Sequence, residues 1–132
     1  MAMQVEVSAA GPVVYFLCSG LYDPAMVIDT MMAEHARRRL PNALWDLRRV
    51  ALHSFVYDDF EIVASAGARI APLRGPGAKT AMLVGSEIDR LLLTAFVGVS
   101  ALINPTTLRP FLHRREALAW LTTVQAEARD AP

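Results

Sequence analysis

The apolar positions of the chain fall into runs whose period changes along its length, and each change of period predicts a new element. Gln4 to Val7 and Val13 to Cys18 are short runs rich in β-branched and aromatic residues, and Ala9-Ala10-Gly11-Pro12 between them is short enough for a hairpin. From Asp23-Pro24 the period turns helical: the aspartate can cap, the proline suits a first helical position, and Ile28, Met31, Met32 and His35 share one face. Asn42 to Val50 returns to strand character, and Asp58-Asp59 opens a second helix with Phe60, Val63, Ala64 and Gly67 on one side. Thr80 to Val84 is too short for a helix and reads as a buried strand.

Ser86, with Asp89 three residues on, resembles a capping box for a helix from Glu87 to Ile103 that Pro105 closes. Leu108 to Leu112 is a short strand that Pro110, lacking an N–H, confines to a sheet edge. Glu116 to Ala128 is a last amphipathic helix with Ala117, Leu121, Val124 and Ala128 on its inner face and Trp120 beside them. The order β-β-α-β-α-β-α-β-α predicts an α/β fold, a mixed, mostly parallel open sheet flanked by helices, as one domain over residues 1–132.

Composition changes this picture at one point. A hydrophobic fraction of 54% with mean hydropathy +0.31 exceeds the roughly 45–50% of ordinary soluble domains, so part of the surplus is expected to meet a second surface. The helix from Glu87 to Ile103 is where it concentrates. Leu92, Ala95, Phe96, Val99 and Leu102 are predicted to cover the sheet, while Thr94, Val97, Gly98 and Ala101 stand where charged residues would be expected. That second face is predicted to form a homodimer, since symmetric pairs are the commonest oligomers; an apolar cavity beside the helix is the alternative.

Charge and chemistry mostly exclude. Thirteen basic residues balance thirteen acidic ones, which leaves no broad positive field for nucleic acid. Twelve of the basic residues are arginines spread along the chain, and the triplet Arg37-Arg38-Arg39 complements the dipole of the helix it ends. The single Cys18 lies in an apolar run and suits a reducing cytoplasm, the expected location. The amino-terminal residues lack the pattern of a secretory signal, and the uncharged stretch Leu91 to Ile103 is shorter than the roughly 20 residues of a membrane span.

Arg74-Gly75-Pro76-Gly77-Ala78-Lys79-Thr80 imitates a phosphate loop. Ala78 stands where the glycine before Lys-Thr is needed, however, and the segment enters a strand rather than a helix, so it reads as a helix-to-strand turn. His35, His53 and His113 are isolated, without metal-ligand spacing. A triad of Ser86, Asp46 and His113 lacks the Gly-x-Ser-x-Gly elbow, and Ser86 already has a capping role. Neither enzyme activity, cofactor nor metal is expected. A small-molecule site, if the parallel-sheet rule applies, falls at the carboxyl ends of the strands near Tyr22, His53, Ser54, Tyr57, Ser86 and His113.

Three segments, ALWDLR (Ala43 to Arg48), RGPGAKTAMLVGS (Arg74 to Ser86) and FLHRREALAWL (Phe111 to Leu121), together resemble the recurring blocks of the bacterial SpoIIAA-like, or STAS-like, family. The resemblance implies the fold of the anti-sigma-factor antagonists and a regulatory, protein-binding role. In those antagonists a serine in an Asp-Ser-Ser/Thr-Gly-type motif after the third strand is phosphorylated. The matching region here is ALHSFVYDDF, where Ser54 is the one nearby hydroxyl, no glycine follows it, and Asp58 and Asp59 would repel a phosphate. The family is also described as similar to Sec14-type lipid carriers. The expectation is therefore a non-enzymatic STAS-like regulatory domain acting as a homodimer, with a carrier or sensor of a small apolar, lipid-like ligand as the alternative.

Overall fold

A computed structural model describes residues 1–123. Strands β1 (Gln4–Ala10) and β2 (Val13–Leu21) form an antiparallel hairpin whose pairing runs to Ala10 opposite Val13, so the turn is only Gly11-Pro12. The parallel neighbours β3 (Asn42–Ala51), β4 (Lys79–Leu83) and β5 (Thr107–Phe111) follow in strict sequence order, β1-β2-β3-β4-β5. β5, with Pro110, is an edge strand.

An unreversed strand order decides where the helices go. Right-handed crossovers between successive parallel strands all pass over the same face. Helices α1 (Pro24–Arg38), α2 (Tyr57–Arg74) and α3 (Glu87–Ser100) accordingly share one face of the sheet. They bury Val27, Phe60, Ala64 and Phe96 against Phe16, Trp45 and Met82. Phe16 and Trp45 stack face to face at 4.0 Å between neighbouring strands, and burying each such side chain contributes about 1.5–3 kcal/mol. Helix α4 (Arg114–Leu121) lies on the opposite face, where Ala117 and Leu121 pack on Leu44, Ala81, Leu83 and Phe111. Two polar side chains tie it down: Asn42 Nδ2 donates to the Leu121 carbonyl at 3.1 Å and Lys79 Nζ to the Trp120 carbonyl at 2.9 Å.

The local capping chemistry is as expected at two helices. Asp23 accepts from the Ala25 N–H at 3.0 Å before Pro24, and Ser86 accepts from the Asp89 N–H at 3.2 Å. Between α2 and β4, Gly75 and Gly77 both take positive φ, making the tight helix-to-strand turn.

Two expectations are corrected. Helix α3 ends at Ser100, three residues before Ile103, and it turns a different line inward: Leu93, Phe96 and Ser100 are buried, whereas Ala95 is exposed and Leu102, 86% exposed, lies past the helix end. Phe96 sets that rotation by meeting both Phe55 and Phe60, at ring separations of 5.3 and 5.5 Å. The last helix begins at Arg114 and stops at Leu121, because the Thr122 and Thr123 hydroxyls bond back to the Ala119 and Trp120 carbonyls. Val124 and Ala128, assigned to its inner face, lie outside the described residues.

Candidate functional site: a cavity between sheet and helices

The inward stripes of α1 and α2 are apolar until their last turns, and there each becomes polar. On α1 the stripe Val27, Met31 is continued by His35; on α2 the stripe Phe60, Ala64, Gly67, Ile70 is continued by Arg74. Helical spacing leaves both side chains under the helices rather than in water, so His35 is 1% and Arg74 6% exposed.

Between these helices and the sheet is a cavity of about 80 Å³. Its walls are largely apolar, with Trp45, Leu47, Phe55, Met82, Leu93 and Phe96 among the lining residues. The remaining lining residues include Tyr22, His35, Arg74, Thr80 and Asn104. Asn104 reaches this wall because α2 carries Gly67 opposite it; a Cβ there would collide with the Asn104 amide.

The polar lining is incompletely satisfied. Arg74 donates from Nη1 to Thr80 Oγ1 at 2.8 Å and from Nη2 to the carbonyls of Pro41 and Lys79 at 2.9 and 2.8 Å, while its Nε has no partner. His35 Nδ1 and the Tyr22 hydroxyl are also buried without partners. Such groups cost about 1–3 kcal/mol each when left unpaired, which is why they are rare in cores and informative beside a cavity. Burial lowers the Arg74 guanidinium to about 10, so it stays a cation near neutrality. Burial and then the Arg74 charge lower His35 to about 4, against an opposing pull from Glu34, so the imidazole is neutral. Burial, helped by Asp59 and Asp23, raises the Tyr22 phenol, which stays protonated.

Of the residues expected at the strand ends, Tyr22 lines this cavity and the others do not. His53 and Tyr57 are exposed, and Ser54 is partly buried with its hydroxyl unpartnered. Ser86 caps α3. His113 borders an open groove between α3 and β5, together with Thr94 and Val97. The sequential strand order explains the location. A strand-end crevice forms where strand order reverses, and this sheet has no reversal, so the free space lies under the helices. From sequence, Arg74 and Thr80 figure only in the phosphate-loop imitation that is set aside, and Asn104 is not singled out. The usable signal was a charged residue continuing an otherwise apolar helical stripe.

The face expected to pair with a second copy is open: Thr94, Gly98 and Ala101 are exposed and Val97 is half-buried. Some of the larger exposed apolar side chains belong to the same segment, at Ile88 (80%), Leu91 (56%) and Leu102. Asp46, considered for a triad, instead binds Arg48 through two side-chain hydrogen bonds of 3.0 and 2.7 Å, which hold its carboxyl below the usual range. Cys18 is buried, and burial pushes its thiol up to about 12, which makes it an inert packing residue. No described helix is long and apolar enough to cross a membrane.

No protein-family model and no curated protein matches the chain. Among solved structures it is similar to an uncharacterised protein of the DUF3478 family, with a SpoIIAA-like fold, from Shewanella loihica PV-4: 18% identity, TM-score 0.51, over 90% of this chain and 93% of that one. With the mixed five-stranded sheet and the helix order above, that likeness assigns this chain the SpoIIAA-like fold.

Proposed function

We propose that the protein is a non-enzymatic, cytoplasmic STAS-like regulatory domain that senses or carries a small apolar molecule in the cavity between its sheet and helices. The observation that carries this reading is the coincidence of apolar walls with buried, unpartnered polar atoms in one cavity. An empty hole of purely apolar character would be a packing defect; polar atoms without partners beside it are sites for a ligand to complete. Native mass spectrometry of protein purified without detergent, followed by a denatured spectrum, tests it. Bound mass that is released on denaturation is expected from wild type. Ala64→Leu, which adds three carbons at the cavity wall, is expected to remove that mass while leaving helix content unchanged. A wild-type spectrum showing only chain mass, with no small-molecule uptake when apolar compounds are added, overturns the reading.

A second reading, homodimerisation through α3, is supported by the exposed Ile88, Leu91 and Leu102 beside Thr94, Val97, Gly98 and Ala101. Solvent-facing apolar side chains clustered along a helix and the residues just past its end mark contact surfaces. The two readings are compatible, because the cavity lies on the inner side of the helices and this surface on the outer.

A further inference from the structure

The polar lining of the cavity is more selective than its apolar walls. Arg74 carries five N–H donors, and three are bonded: both on Nη2 and one on Nη1. Nε–H and one Nη1–H remain. All three acceptors are neutral oxygens, and none of the ion pairs among the described residues includes Arg74. A guanidinium 6% exposed without a counter-charge is an electrostatic vacancy in the interior. His35 lines the same cavity, is neutral and has Nδ1 unpartnered. The cavity wall thus offers a fixed positive charge, an unpartnered guanidinium Nε–H and an imidazole nitrogen next to apolar space.

Resting on the proposal that this cavity holds a ligand, we infer that the ligand is a monocarboxylic acid: a short apolar body whose carboxylate accepts from the free Nε–H of Arg74, with His35 beside it. The buried Nε–H can donate to one carboxylate oxygen, since Nη2 on the same edge is already bonded to the Pro41 and Lys79 carbonyls, and a single negative charge balances a single buried positive one. A phosphate monoester would bring more charge and a third oxygen than this donor set answers. The body is short because about 80 Å³ is roughly half the 150 Å³ cavity known to admit benzene. Met31 and Met82 in the lining can shift to extend the space by a few carbons.

Titration calorimetry at pH 7 with propanoate, 1-propanol and propyl phosphate tests the assignment on the wild-type chain. Propanoate is expected to bind at least tenfold more tightly than 1-propanol, and the preference to be lost in Arg74→Gln but partly kept in Arg74→Lys. Nitrogen-15 NMR of the imidazoles gives a second readout independent of any substitution: bound propanoate should shift His35 Nδ1 and raise its titration midpoint. Equal affinity for propanoate and propanol would show a cavity that takes small ligands without reading the head group, which overturns the acid inference but not the cavity. Preference for propyl phosphate overturns the carboxylate assignment. Binding of none of the three, with Ala64→Leu indistinguishable from wild type, overturns both.

Discussion

His35 shows how much a single buried group can set. Its imidazole packs 5.9 Å from the Phe16 ring, has Nδ1 unpartnered, and is lowered from 6.5 to about 4, first by burial and then by Arg74. The folded chain therefore resists a proton that the unfolded chain accepts. Its contribution to stability is full above about pH 6.5 and declines as pH falls through the window to about 4. The total change is on the order of 3 kcal/mol. Urea unfolding across that range should show wild type losing stability relative to His35→Leu as pH falls; parallel curves would refute it. Asp46, whose carboxyl Arg48 holds below the usual range, is common to both chains and cancels in the comparison. Gly20 sets a different constraint. It has φ 96°, and a Cβ there would collide with the Ala2 carbonyl, where the amino-terminal segment crosses β2 and Met1 accepts from the Leu21 N–H at 3.1 Å. Gly20→Ala is expected to destabilise by at least about 1–2 kcal/mol in denaturant melts, whereas Gly98→Ala, in open space on α3, should be neutral or mildly stabilising.

Helix α3 is the element whose role depends on rotation. At about 100° per residue, a one-position change in the inward line moves a whole stripe from core to solvent. Because Leu93, Phe96 and Ser100 face the core, Ile88, Leu91 and Ala95 are left in water, a price in solvation that a contact surface would recover. If the chain dimerises through this helix, Ile88→Asp with Leu91→Asp should halve the mass measured by light scattering while circular dichroism stays unchanged. A dimer that survives the pair of charges would place the interface elsewhere, with the open edge strand β1 as the next surface to test.

Considered together, the elements show how much was legible beforehand. Periodicity, proline positions and the two polar caps are local properties, so the order of nine elements, the hairpin, the edge strand with Pro110 and the mixed sheet could all be read from the chain. The sequential strand order, with right-handed crossovers, then accounts for three helices on one face. The candidate cavity was not legible in the same way. His35 and Arg74 are 39 positions apart, Arg74 to Asn104 another 30, and nothing local announces that they line one space. Sequence puts His35 at the polar end of an apolar face on α1, whereas Arg74 is read there only as part of a turn and Asn104 not at all. Only packing decided that these side chains were buried, that Phe96 turned α3 toward Phe55 and Phe60, and that α4 closed part of the other face through Asn42 and Lys79. The physical reason is range: hydrogen-bonded periodicity and capping act over a few residues, whereas burial, helix rotation and the electrostatics of an unpaired interior charge depend on which distant segments fill the same volume.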